Sequence, residues 1–196
     1  MKKKVTFFLV IIIIAGCAFF AGYGKGKLKD KPEITSSSIE NRLSAVKDLV
    51  TTEYHYKNMG SFDNQNTFYG WKVPFTEKKF ILTYEGTIKL GVNLKNISVK
   101  IKGKDINIEI PDAKIISNEI DESSIKVFDE KTSIFNPIVI EDYKNFAEKQ
   151  KKEVAENAVK KGIIAEADKN SAKVIKEIFL IDPDFNSYNI NISIKK

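Results

Sequence analysis

"IEDYKNFAEKQKKEVAENAVKKGIIAEADKNSAKVIKEIF", residues 140–179, is the stretch on which the fold turns. Its apolar positions Ala147, Val154, Ala158, Ala165, Ala172, Ile175 and Phe179 follow one another at steps of 7, 4, 7, 7, 3 and 4. Those steps keep one stripe in phase along a helix. Unbroken, a helix of this length extends about 60 Å, too far to lie wholly on a compact sheet. Gly162 weakens a helix interior by about 1 kcal/mol relative to alanine and marks the place for a kink. A helix bent there would pack on its own sheet. Alternatively, the small side chains of Ala158, Ala165 and Ala172 let a second copy approach the far half closely. Asp182-Pro183 closes the segment.

Upstream of the helix, period-2 alternation predicts strands over 80–84, 87–92, 97–102, 106–110, 113–117 and 125–129. Gly103-Lys104-Asp105 between "ISVKIK" and "INIEI" reads as a tight hairpin, with Ile97, Val99 and Ile101 facing Ile106, Ile108 and Ile110. Pro111 ends that run, because proline cannot donate to a central ladder. Ser37-Ser38-Ile39-Glu40 has the capping-box pattern and opens a short helix near 37–48. "VTTEYHYKN" then alternates with Val50, Thr52, Tyr54 and Tyr56 on one face, until residues 60–64 break it. Residues 187–195 alternate again and return a strand to the sheet. Strands, a long helix and a closing strand make an α+β fold with a mainly antiparallel sheet.

The N-terminus is of another kind. Residues 5–24 carry no charge, and as a helix they would rise about 30 Å, the thickness of the hydrocarbon core. Ile14-Ala15-Gly16-Cys17 within them resembles a lipobox, which would make Cys17 a lipid-bearing first residue after cleavage. The apolar run continues past Cys17 through Phe19, Phe20 and Ala21, where a lipoprotein leaves its lipid on a polar tether. An uncleaved single span is therefore expected, with the lipoprotein anchored at Cys17 as the alternative. Residues 25–36 form a charged tether, and 37–196 form one α+β domain, expected outside the membrane.

Charge narrows the function. The chain carries a net +6, but residues 1–35 hold seven lysines against two acids, so the domain itself is close to neutral. It lacks the basic footprint of a nucleic-acid binder. Arg42 is the only arginine, which excludes a site built on several bidentate guanidinium clamps. Cys17 is the only cysteine and His55 the only histidine, so neither a transition-metal centre nor a cysteine nucleophile is expected in the domain, and no cofactor. His55 alternates away from the tyrosine face toward solvent. Asp182, Asp184 and Asn186 begin like a calcium loop, but Ser187 and Ser193 stand where glycine and a bidentate glutamate belong.

Two stretches remain as candidate sites. Tyr69, Trp71 and Phe75 in "TFYGWKVPF" are the densest aromatic group. Such rings either cover one end of the core or, on a loop, serve as binding anchors or dip into a membrane interface. Glu119, Asp121 and Glu122 cluster carboxylates, as a glycoside hydrolase requires, but no companion motif accompanies them and a solvated loop is the favoured reading.

At "TTEYHYKNMG", "YEGTIKLGVNL", "IEIPDAKIISNEID" and "VFDEKTSIFNP" the chain resembles a bacterial family known as domain of unknown function 4230. The likeness covers roughly residues 39–195 through the order and spacing of those segments. It implies a single-span or signal-bearing envelope protein with this α+β domain outside, and supplies no activity or catalytic residue. The expectation is a non-enzymatic, membrane-tethered extracytoplasmic domain that binds an envelope protein or assembles with itself. The alternative is an envelope hydrolase acting through the carboxylates at 119–122.

Overall fold

The computed structural model describes residues 34–195. The expected span at 5–24, the lipobox around Cys17 and most of the tether lie outside the described residues. Among the described residues no helix is long and apolar enough to cross a membrane. The described residues from Ser36 onward form one compact unit.

Helix α1 (Ser36–Ser44) leads into β1 (Asp48–Phe68) and β2 (Trp71–Asn93), then the hairpin of β3 (Ser98–Lys102) and β4 (Asp105–Pro111). β5 (Lys114–Lys131), α2 (Ile140–Lys160), α3 (Ile163–Ile181) and β6 (Asn189–Lys195) complete the unit. β1, β2 and β5 form one antiparallel sheet with β2 in the middle. In the second sheet β4 lies between β3, antiparallel to it, and β6, parallel to it. The α+β class is as expected, with mostly antiparallel pairing.

β2 organises the core. From Thr76 to Val92 every even-numbered residue is buried: polar Thr76 and Lys78 first, then Phe80, Leu82, Tyr84, Gly86, Ile88, Leu90 and Val92. Alternation with period 2 puts all of them on one face, and α2 and α3 cover that face. Phe80 stacks on Phe62 of β1 at 4.8 Å and on Tyr143 of α2 at 4.6 Å, with Phe146 edge-on at 5.2 Å. Buried polar groups are paired: Tyr84 donates to Gln150 Oε1 at 2.6 Å and Tyr56 to Asn118 Oδ1 at 2.9 Å. Burial pushes both phenols above their ordinary pKa, with the neighbouring Tyr84 adding to the effect on Tyr56, so they remain donors at neutral pH.

The long helix is two helices. α2 buries Phe146, Gln150, Val154 and Ala158, and α3 buries Ile163, Ala167, Ser171, Ile175 and Phe179. Each set repeats every four residues, and a single step of five across Lys161-Gly162 separates them. Gly162 has φ 86°, the left-handed conformation that ends helices, while Lys161 N–H donates to Asn157 and Ala158 and Gly162 N–H to Val159. The stripe expected from the sequence is thereby divided. Ala158 is buried against its own domain, Ala165 is exposed, and Ala172 is half-buried.

Three expected strand boundaries are corrected. The break at residues 60–64 is absent, and β1 runs through Gly60 to Phe68. That glycine serves a close approach rather than a turn: a Cβ there would stand 2.5 Å from Phe146 Cζ. The strands expected at 80–84 and 87–92 are one, since Gly86 stays in the ladder opposite Tyr56. Those at 113–117 and 125–129 are likewise one, β5, with a bulge in which four residues of β5 oppose Tyr84 alone. A smaller bulge at Thr51 also splits the face expected to hold Val50 with Tyr56. Val50 is exposed, while the Thr51 hydroxyl lies 2.8 Å from Ser171 Oγ on α3.

The β3–β4 hairpin has the expected register, Val99 opposite Ile108 and Ile101 opposite Ile106. Gly103, with φ 60°, takes the first position of its two-residue turn. The Asp182-Pro183 stop is a 3-10 turn in which the Asp182 side chain accepts from Asp184 N–H at 3.1 Å.

Candidate functional site

At the end of the sheet farthest from α1, β1 and β2 are joined by Tyr69-Gly70 alone, with Phe68 paired to Trp71. Tyr69 has φ 46° and Gly70 φ 83°, which is the type I′ geometry that favours Asn-Gly. A tyrosine at the first position is therefore held in a backbone state that ordinary side chains avoid. Four residues on, β2 bulges: Gln65 pairs with Glu77 and Thr67 with Lys72, so residues 73–76 oppose Asn66 alone. Pro74, which has no N–H to give a ladder, sits in this bulge, and Phe75 follows it with φ 60°. The bulge is pinned because Val73 O accepts from Gln65 Nε2 at 3.1 Å and from the Thr76 hydroxyl at 2.7 Å.

A second loop reaches the same end. Ser133 and Asn136 close a turn through Asn136 N–H to Ser133 O at 3.2 Å, leaving Ile134 and Phe135 at its two central positions. Asn136 Nδ2 donates to Thr76 O at 2.8 Å and Asn64 Oδ1 at 3.0 Å, and the Ser133 hydroxyl donates to Phe75 O. The two loops are thus tied into one surface.

What this surface presents is apolar. Tyr69 is 89% exposed, Trp71 81%, Phe75 82% and Ile134 94%, with Phe68 and Phe135 also exposed. Phe68 and Tyr69 contact each other edge to face at 4.7 Å. A groove of about 410 Å³ runs beside Phe75, Ile134 and Phe135, with Gln65, Glu77 and Lys131 along it. A hydrogen bond from Lys131 holds the Glu77 carboxyl below the ordinary carboxylate range. The aromatic residues singled out in the sequence are together, but they do not cover the core.

The base of the tip is held by an ion pair. Lys78 Nζ, almost wholly buried, lies 2.6 Å from Asp142 Oδ2 and donates to Pro137 O at 3.3 Å. Asp142 Oδ2 also accepts from Val139 N–H at 2.8 Å in the first turn of α2. Burial works to raise the Asp142 pKa, but the Lys78 hydrogen bond, the Val139 amide and the Lys78 charge together hold it below the ordinary value.

The family model for "Protein of unknown function (DUF4230)" matches residues 41–191. The chain belongs to the DUF4230 family. No curated protein and no solved structure matches it. The region it shares with the family contains both loops of the tip.

In this DUF4230 domain the other candidate residues are divided. Glu119 and Asp121 lie on the sheet face not covered by helices, around a shallow depression with Glu53, His55, Thr87 and Lys89. His55 is exposed there as expected, its Nδ1 2.9 Å from the Thr87 hydroxyl and its Nε2 3.6 Å from Glu53. Asp121 Oδ1 accepts from Ser123 N–H at 2.9 Å and from its hydroxyl at 2.7 Å. Glu122 enters the bulge of β5 and lines a groove on the helix side with Tyr84, Tyr143 and Phe146. The three carboxylates therefore do not converge. Among the described residues no group of three or more His, Cys, Asp or Glu side chains could hold a metal ion. Arg42 lines a mainly apolar cavity of about 190 Å³ beside Ile39, Leu94 and Phe179, close to where the chain joins the domain.

Sequence reading missed Phe68, Ile134 and Phe135. A signal was available in "TSIFNPIVI", nine residues with no charge that lie neither in a strand nor in a helix until Ile140.

Proposed function

We propose that this protein is a membrane-tethered binding domain of the bacterial cell envelope, held by residues 5–24, with the domain outside and its contact made by the aromatic tip. One observation carries the reading: six large apolar side chains, from the Tyr69-Gly70 turn and from the β2 bulge hydrogen-bonded to the 133–136 loop, stand exposed at this end of the sheet, two of them on residues with left-handed backbone. Monomeric soluble proteins rarely leave such patches uncovered, and backbone strain that no packing repays gathers at functional positions. The tether rests on the 20 uncharged residues 5–24. Contact, rather than catalysis, is the role this assigns. The hydrolase alternative loses support because Glu122 faces away from Glu119 and Asp121.

The domain 36–196, which has its own core, should sediment with cell-envelope fragments. A variant with Tyr69→Ser, Trp71→Ser and Phe75→Ser should remain in the supernatant. Equal sedimentation of the two would refute the assignment of the tip. The tether is tested separately, by alkyne fatty-acid labelling of the full chain beside Cys17→Ser. No label and an intact mass that retains Met1 indicate an uncleaved span, whereas label lost in the mutant from a cleaved product indicates a lipoprotein.

A further inference from the structure

We infer that the tip's target is a phospholipid bilayer, into whose interfacial layer Phe68, Tyr69, Trp71, Phe75, Ile134 and Phe135 insert. The inference rests on the proposal that the tip is the contact surface, and names what it contacts.

Charge is the first argument. Residues 64–76 and 132–140 carry one charge between them, Lys72, in a chain that is 30% charged. Moving charge out of water is costly, and these two stretches have almost none to move. Lys72 can lie along the apolar surface with its ammonium at the headgroups. A protein-binding patch, by contrast, is ringed by a polar rim that sets register and partner choice, whereas here the loops hold Lys72 alone and the charged lining of the groove is the mutually paired Glu77 and Lys131.

Shape is the second. Tyr69, Ile134 and Phe135 occupy central turn positions, Phe68 and Trp71 flank the first turn and Phe75 stands in the bulge; all six are strongly exposed, and the groove beside Phe75, Ile134 and Phe135 is open. A convex apolar tip suits a soft, laterally continuous phase. The residue types agree, since tyrosine and tryptophan place an apolar ring and a polar edge at the headgroup level while phenylalanine and isoleucine reach below it. Because Ser133 and Asn136 already fix the loops to each other, little conformational freedom remains to be lost on insertion.

Trp71 is the only tryptophan and stands in the tip, so its emission reports insertion without a label. The domain 36–196 is titrated with neutral phosphatidylcholine vesicles, which exclude attraction of lysines to anionic lipid. Insertion predicts a blue shift, quenching by brominated acyl chains, and little response to salt. Phe75→Asp and Ile134→Asp should each weaken partitioning by about 10- to 100-fold, with melting temperatures unchanged because both side chains are exposed. Emission unmoved by neutral vesicles would overturn the inference. So would a shift that tracks protein concentration without lipid, which identifies a second copy as the occupant, or one confined to anionic vesicles and abolished by salt. If envelope fragments still retain the domain while vesicles do not, only the lipid target falls. If both fail, the assignment of the tip falls with it.

Discussion

Replacing Asp142 with asparagine should be among the most damaging single changes in the domain. The substitution keeps the volume and one acceptor but leaves the Lys78 ammonium, 6% exposed, without a counter-charge. Its remaining acceptors, Pro137 O at 3.3 Å and an amide oxygen at position 142, are both neutral. Removing one member of a buried pair costs about 3–5 kcal/mol, because a desolvated charge is left uncompensated. Domains of this size are stable by about 5–15 kcal/mol in all, so about a fifth or more of the total is at stake. A shift of about 2–4 °C in Tm per kcal/mol makes the expected loss roughly 10 °C. Urea unfolding of the domain 36–196 followed by circular dichroism measures it, with an unchanged slope showing that the two-state comparison holds. Lys78→Met together with Asp142→Leu should recover most of the loss, since an apolar pair of similar volume avoids the desolvation. Acidification should act in the same direction. Asp142 has its folded pKa held below the unfolded one, so its contribution is complete above the unfolded value of about 4 and is lost as pH falls through the folded value. That part of the acid slope should vanish in Asp142→Asn. A cost below about 1 kcal/mol for Asp142→Asn would refute this account, because losses that small are typical of exposed ion pairs.

Other changes test the backbone arguments. Gly60→Ala forces its Cβ against Phe146 and should destabilise by about 1–3 kcal/mol as an overpacked contact, read in the same urea experiment. Gly162→Ala distinguishes two helices from one: in a continuous helix it would stabilise by about 1 kcal/mol, whereas at φ 86° it should cost about 1–2 kcal/mol. Tyr69→Asn places a residue tolerant of positive φ in the type I′ turn and should raise the melting temperature slightly while weakening envelope binding. That opposition is the expected signature of a residue kept for contact rather than for folding.

The sequence announced most elements but not their limits. Alternation found β2 and β5, because apolar residues recur with period 2 from Phe80 to Val92 in one and at Ile125 and Val127 in the other. It divided them at residues 85–86 and 118–124 because glycine and acidic residues also mark turns, and sequence does not distinguish a turn from a bulge with its partner strand alongside. Gly60 misled for a related reason: the residue demanding its missing side chain, Phe146, lies 86 positions away. Gly162 was visible as a weak point, yet the phase slip between Ala158 and Ile163 became plain only once the buried faces were known. The aromatic group was legible as a group. Its exposure was not, because rings beside a proline and a glycine look the same over a core as in water. Ile134 and Phe135 joined it only through the loop-to-loop hydrogen bonds of Ser133 and Asn136.

One proportion of the molecule sets how it could be used. The chain joins the domain at α1, which packs beside Leu94 at the start of β1, and the aromatic turn closes the other end of that strand. Twenty-one residues separate these ends, a contour of roughly 65 Å at 3.3 Å per residue. Ser36 and the aromatic turn therefore stand at opposite ends of this sheet. Two surfaces gripped at these ends would be kept at a separation fixed by strand length, and shortening β1 and β2 by matched pairs of residues would draw them together in steps of about 7 Å.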